Sequence, residues 1–291
     1  MGAFSADWLA LREPADVLAR SSAVVDAVRG KVLDTVDDDP LSIIDLGAGT
    51  GANLRYVAPR IGGRQDWLLV DSDRTLLAVA RTRLLEWAST LDAQVETRAG
   101  QISIVATSFS ATVRTQELDM ARQLASLRLP RGGLVTASAL LDLVSQRWLD
   151  ALADACRGAH ANVLFALTYD GRMTLAPAEP DDALARALFD SHQRTDKGFG
   201  PALGPAAAEA AKSSFAKRGY AIKSETSDWR LGGEARELQG EHLEGWLRAA
   251  CEIEPKSRAT LERWHVRHRQ RIDAGESRIL VGHSDFAGLV R

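Results

Sequence analysis

Short apolar runs alternate with longer stretches of helical period from residue 41 onward, and that alternation predicts strands and helices in turn. Ile43 and Ile44 lie in the first run; Leu54, Val57, Ala58 and Ile61 follow at helical spacing. The second run is 67–70 (WLLV), and a periodic helix over 74–91 follows it. Two more buried runs, 133–138 and 162–168, flank a helix that Ser145 caps and Gly158 stops. With a strand at 111–117, this makes five strand–helix alternations in about 170 residues and predicts a parallel sheet.

The stretch 93–117 departs from that rhythm. Residues 94–97, 102–105 and 111–114 all alternate as strands do, which reads as a β-hairpin inserted before a third core strand at 111–117. The rival assignment makes 94–98 the core strand. Toward the N-terminus, 4–12 reads as a short helix, with Pro14 opening a longer one through about Val36. Asp37, Asp38, Asp39 and Pro40 read as a solvated turn. Beyond residue 170 the pattern predicts helices starting at Asp181, Pro205, 239 and 257, and strands at 220–226 and 278–282. The expected whole is an α/β, doubly wound Rossmann-like seven-stranded sheet, mostly parallel, with a C-terminal antiparallel strand, N-terminal helices and helical cap insertions. It forms one domain over 1–291: a helical cover (1–40), a ligand-binding core (41–170), and a C-terminal part that completes the sheet and caps the substrate side (171–291).

Composition narrows the function. The 291 residues are 45% hydrophobic, enough for a large core, and the formal net charge is −3. The pI of about 6.1 gives no broad electrostatic case for nucleic acid. Cys156 and Cys251 are the two cysteines, and no metal-ligand spacing accompanies them, so a reducing, cytoplasmic setting fits and no metal is expected. The first residues lack the basic and apolar segments of a signal peptide. No apolar run reaches the roughly 18 residues of a membrane span.

The chemistry concentrates at 41–53, LSIIDLGAGTGAN. Asp45 ends a strand, Gly47, Gly49 and Gly51 follow at alternate positions, and a helix begins. Glycines there let a ligand approach the main chain. Dinucleotide folds show G-x-G-x-x-G and seat a pyrophosphate on the helix N-terminus. The spacing here is G-x-G-x-G, and an acid beside the turn suits a ligand carrying an ammonium group. The stretch resembles motif I of the class I S-adenosylmethionine (SAM) methyltransferases, E/D-x-G-x-G-x-G, and the resemblance extends over about 41–170.

That resemblance implies SAM as cofactor, held by Asp45, Gly47, Ala48, Gly49, Thr50, Gly51 and Asn53. It further implies Asp71, at the end of the second strand, as acceptor for the two ribose hydroxyls, with Ser72 beside it. Asp119 resembles the acceptor for the adenine amino group and Met120 the residue near the ring; under the rival assignment Gln101 takes the acid's place. Ser138 and Ala139 end the fourth strand beside the methionine part. Methyl transfer needs alignment and exclusion of water more than a fixed catalytic group.

His192 is the candidate general base. Arg194 and Lys197 are candidates for an anionic substrate group, and Trp8, Tyr169 and Phe199 for the walls of the acceptor pocket, which the helix at 4–14 and the loop 192–204 would cover. The expected partner is a small-molecule methyl acceptor, at oxygen before nitrogen or carbon. An RNA or protein target, a non-catalytic SAM-binding protein and a dehydrogenase stay as alternatives. His265 and His268 stand three apart without a third ligand, which disfavours zinc. The stripe Arg263, Arg267, Arg271 reads as a solvated face.

Overall fold

A computed structural model describes residues 4–33 and 39–291, so Val36 and most of the acidic turn, Asp37 and Asp38, lie outside the described residues. In chain order the helices and strands are α1 (Ala6–Ala19), α2 (Ser22–Leu33), β1 (Leu41–Leu46), α3 (Ala52–Ile61), β2 (Gly63–Asp71), α4 (Arg74–Ser89), β3 (Gln94–Arg98), β4 (Gln101–Val105), β5 (Phe109–Glu117), α5 (Met120–Gln123), β6 (Leu134–Ser138), α6 (Gln146–Gly158), β7 (Asn162–Ala176), α7 (Asp182–Gln193), α8 (Ala207–Lys217), β8 (Tyr220–Thr226), β9 (Trp229–Leu231), α9 (Arg236–Ile253), α10 (Arg258–Asp273) and β10 (Arg278–Val290). No helix among the described residues is long and apolar enough to cross a membrane.

The apolar runs at 43–46 and 67–70 pair in parallel, Ile43 beside Trp67 and Leu46 beside Val70. The same face-to-face logic places β6 on the other side of β1 and β7 beyond it, also in parallel. The sheet order is β3-β4-β5-β2-β1-β6-β7-β10-β8, with β9 pairing β10. Chain order reverses between β1 and β6, and in an open α/β sheet that switch point makes the ligand crevice at the carboxyl ends of the strands. β5 pairs with β2 in parallel, so 109–117 is the third core strand and 94–98 is the outer arm of a hairpin.

The sheet has ten strands where seven were expected. The predicted seven form the core. β4 adds antiparallel to the free edge of β5, carrying β3 with it, and β9 adds to β10. An open strand edge is a row of unpaired backbone groups, and the hairpin covers the one that β5 would have left.

Both faces are covered. Val24, Val25, Val28 and Val32 of α2 pack with Leu54, Val57, Trp67 and Leu84 on one side. Trp148, Leu149 and Leu152 of α6 pack with Phe215 of α8 and Phe165 on the other. Each such side chain contributes about 1.5–3 kcal/mol by burial. A third apolar cluster lies apart from these two, joining the second half of β7 to α9 and α10 through Tyr169, Met173, Trp246, Leu261 and Trp264.

Three boundaries differ from expectation. β7 runs on to Ala176, so Tyr169 stands inside the strand and not at its end. β10 continues past Gly282 to Val290 and is paired on both sides, by β7 and β8. Pro14 does not start a helix; it sits inside α1, and the break falls at Arg20, whose backbone is extended. The Asp285 carboxylate holds this break. It accepts from Ser21 N at 3.0 Å and from Leu167 N at 2.8 Å, tying the α1–α2 junction to an irregular point of β7 where Leu167 takes φ 53°.

Candidate active site

The strand ends are level. Leu46 lies opposite both Val70 and Ala137, Asp71 opposite Glu117, and Ser138 opposite Ala166. The glycine turn, Asp71, Asp119, Ser138 and Ala139 therefore gather along one edge of the sheet. Gly47, Gly49 and Gly51 take φ of 67°, 51° and 77°, a region that side chains rarely enter. A Cβ on Gly49 would stand 3.1 Å from Leu9 Cδ1, so α1 lies directly on the turn.

Asp71 is tied into that turn: one carboxylate oxygen accepts from Gly49 N at 2.8 Å, the other from Asp73 N at 2.9 Å. Each oxygen keeps a second lone pair. Asp73 instead caps α4 through Thr75 N and Leu76 N. Asp119 caps α5, accepting from Ala121 N at 3.1 Å, and is half-buried; Met120 beside it is buried and its carbonyl accepts from the Trp148 indole at 2.8 Å. Gln101 lies opposite Arg98 at the turn of the outer hairpin. Asp119→Ala is therefore expected to weaken SAM binding several-fold and Gln101→Ala to leave it unchanged, as read by calorimetry. The reverse pattern would reject Asp119 as the adenine partner.

Asp45 does not face open solvent. It is fully buried, with Asn53 Nδ2 donating to it at 2.7 Å and also to Thr136 Oγ1 at 3.0 Å, while Arg20 donates to Asn53 Oδ1 at 2.8 Å. Its other oxygen, and Thr50 Oγ1, have no partner. Burial pushes the Asp45 carboxyl up to about 7, against the pull of the Asn53 hydrogen bond and of Arg20. Ala48 is locked by a bond from its N–H to Val70 O, while Ser72 is exposed.

A cavity of about 860 Å³ opens beside Ala139, whose own φ is 51°. Among the residues proposed from sequence, Trp8, Tyr169, His192 and Lys197 line it, together with Ala139. Arg194 and Phe199 do not. Arg194 is exposed and donates to Asp190 O at 3.1 Å, and Phe199 packs edge-on against Trp148 at 5.2 Å within the α6 core. Their places in the loop follow from its anchoring: Val144 bridges Phe199, and Leu203 N donates to Val144 O.

His192 has both ring nitrogens engaged. Lys197 Nζ stands 3.1 Å from Nδ1, so that nitrogen accepts and Nε2 carries the proton toward Glu252 at 3.0 Å. Burial and the lysine hold it below the usual histidine range, and burial lowers Lys197 as well. The Tyr169 hydroxyl donates to Asp190 at 3.0 Å.

Most of this cavity's lining carried no functional expectation from the sequence, Asp142, His242 and His283 included. Asp142 follows Ala139 by one turn; one of its oxygens has no partner, and burial pushes it up to about 6 against the pull of Arg12 and Lys197. His242 on α9 and His283 on β10 also line the cavity. Asp142 sits in a short segment directly after the fourth strand, a place that could have marked it. His242 and His283 carry no local signal, because the long β10 and the cap bring them in.

The chain matches no family model and no curated protein. Among solved structures it is similar to the cyclopropane synthase MmaA2 from Mycobacterium tuberculosis, with 12% identity over 98% of this chain and 94% of that one, TM-score 0.49. It is also similar to a SAM-dependent methyltransferase from Geobacter sulfurreducens in complex with S-adenosylhomocysteine (15% identity, all of both chains, TM-score 0.46). A third is a SAM-dependent methyltransferase from Thiobacillus denitrificans in the same complex (13% identity, 99% of each chain, TM-score 0.44). At these scores the overlap is loose and decides neither cofactor nor substrate.

Proposed function

We propose that this chain is a SAM-dependent methyltransferase acting on a small-molecule acceptor, at oxygen. The observation that carries this reading is the junction of the glycine turn with Asp71: the Gly49 N–H donates to the Asp71 carboxylate at 2.8 Å, along the same sheet edge as Ala139, where a large cavity opens. The Asp71 carboxylate suits the ribose hydroxyls of a nucleoside, and the G-x-G-x-G spacing of the turn, in place of the G-x-G-x-x-G that seats a pyrophosphate, favours SAM over a dinucleotide.

The residues fit the group. Three glycines at positive φ form the turn, Asp71 has free lone pairs for the ribose, and Asp119 stands after the third core strand. Bound SAM would supply a methyl group on a positively charged sulfur. The chain's own part is to hold the acceptor, keep water out and take a proton. Asp142 is the residue to receive that proton: it lines the cavity three positions after Ala139, and its raised pKa lies near the working range of a general base. His192, with both nitrogens already bonded, serves to fix Lys197 at the cavity wall.

Calorimetry should give micromolar binding of S-adenosylhomocysteine and far weaker binding of NAD. Tight NAD binding with no S-adenosylhomocysteine binding would reject the reading in favour of a dehydrogenase.

A further inference from the structure

The charged groups that line the cavity are of two kinds. Asp196, Glu241, Arg248 and Glu252 are exposed, and water and salt screen them. Asp196 also accepts from Gly198 N and Gly200 N, and Glu252 pairs with His192. Arg12, Asp142 and Lys197 are half-buried, beside the half-buried rings of Trp8 and Phe189. Screening is weaker there, so these three weigh most on what the interior accepts.

Each of the three keeps a bonding position over. Lys197 Nζ donates to His192 Nδ1 at 3.1 Å and to Thr195 Oγ1 at 3.0 Å, and an ammonium has a third N–H. Arg12 gives Nε and Nη2 to Asp16 at 2.9 and 3.1 Å, which leaves Nη1. Asp142 Oδ1 is enclosed, which leaves Oδ2 as the oxygen that a ligand can reach. Asp16 matches the charge of Arg12. Among the described residues neither Lys197 nor Asp142 forms an ion pair, and each acts on the other through space.

A charge taken out of water costs free energy until a partner meets it. Burial lowers Lys197 and raises Asp142, the direction of groups whose desolvation is not offset. Lys197 lacks an acceptor and Asp142 lacks a donor. A carboxylate supplies the first and a hydroxyl the second. An ammonium could also donate to Asp142, but the fields of both Arg12 and Lys197 reach that carboxylate and would oppose a third cation.

We infer that the methyl acceptor is a hydroxy acid, its carboxylate bound by Lys197 and Arg12 and its hydroxyl turned to Asp142. Arg12 thus takes the part for which the sequence offered Arg194, which does not line the cavity. The inference rests on the methyltransferase reading for the fate of the hydroxyl, but not for the binding.

The test is titration calorimetry at about pH 7.5 with mandelate, mandelamide, phenylacetate and phenylglycine, each with and without saturating S-adenosylhomocysteine. Asp142 and the probe carboxylates are ionised there. Mandelate is expected to bind about tenfold more tightly than mandelamide, which lacks the charge, because a charge-assisted hydrogen bond exceeds a neutral one by about that factor. It should bind about fivefold more tightly than phenylacetate, which lacks the hydroxyl, and more tightly than phenylglycine, which carries an ammonium in its place. In Lys197→Gln mandelate should lose most of its advantage over mandelamide while mandelamide keeps its own affinity; a merely structural loss would weaken both. Arg12→Gln should narrow the same gap, and is the second variant should Lys197→Gln lose its cooperative melting. Arg194→Gln should leave all four affinities unchanged. Equal binding of mandelate and mandelamide, tightest binding of phenylglycine, or no binding of any of the four would overturn the inference. If mandelate is selected but S-adenosylhomocysteine does not bind, the methyltransferase reading fails and this site stands. Binding of S-adenosylhomocysteine without selection of mandelate has the opposite meaning.

Discussion

Asp71→Ala is expected to lower the affinity for S-adenosylhomocysteine by at least a hundredfold. Two charge-assisted hydrogen bonds to the ribose would be lost, each worth about 1.5–3 kcal/mol, and every 1.4 kcal/mol is a factor of ten. The same substitution removes the acceptor that Gly49 N and Asp73 N share, so the glycine turn would also lose its tether. Asp73→Ala is the informative companion. It costs α4 its cap, worth about 1 kcal/mol of stability, and should leave affinity within a few-fold. Calorimetry on both variants, with thermal melting to confirm folding, separates the two acids. Unchanged affinity in Asp71→Ala would mean that the ribose is bound elsewhere.

Asp142→Asn is expected to slow turnover by about 10²–10⁴-fold while affinity for S-adenosylhomocysteine holds within a few-fold. The sign of the pH dependence follows from the raised pKa. Burial lifts the carboxyl from 3.8 to about 6, so it is protonated, and useless as a base, below about pH 6. With an identified acceptor, wild-type kcat/KM should therefore fall tenfold per unit as pH drops below that value, and the asparagine variant should show no such limb. A variant that keeps full turnover would assign Asp142 to structure and point to an acceptor that gives up its proton without help. The same raised pKa has a cost in stability. In the native state Asp142, like Asp45 with its pKa of about 7, keeps its proton at pH values where the unfolded chain has released it. Their contribution to stability is thus full below about pH 3.8 and declines as pH rises through 6 and 7.

The core of the sheet was legible because its strands are buried on both faces and its turns carry glycine. Ile43, Ile44 and 67–70 could only be interior strands, and the hairpin at 94–105 showed its period of two. The acids at strand ends followed from the same pattern. What stayed hidden is the part built by long-range contacts. The strand expected to end at residue 168 runs on through Tyr169, Asp170 and Gly171, bending at Gly171 with φ 82° while Asp170 is held by Arg172. Beyond it Met173 and Leu175 alternate inward and carry the third cluster. β10 was cut short at Gly282 for a similar reason. His283, Ser284 and Asp285 look like a polar exit from a strand, but all three are buried between β7 and β8. The loop 192–204 misled in the other direction. Its glycines and aromatic suggest a flap, whereas Phe199 is used to fasten it to α6.

α1 touches both halves of the site through five side chains between Trp8 and Asp16. Leu9 rests on Gly49, and Glu13 forms a bidentate ion pair with Arg55 at 2.6–2.9 Å, whose guanidinium also holds Thr50 O. On the other side Trp8 and Arg12 line the aromatic cavity, and Asp16 accepts from the Trp229 indole at 2.8 Å. A helix of this length moves as one piece, so its seating over the turn and over the cavity is a single event. A ligand that shifted α1 at one of these places would therefore be felt at the other. Linkage would make such an effect symmetrical, each ligand changing the affinity of the other by the same factor.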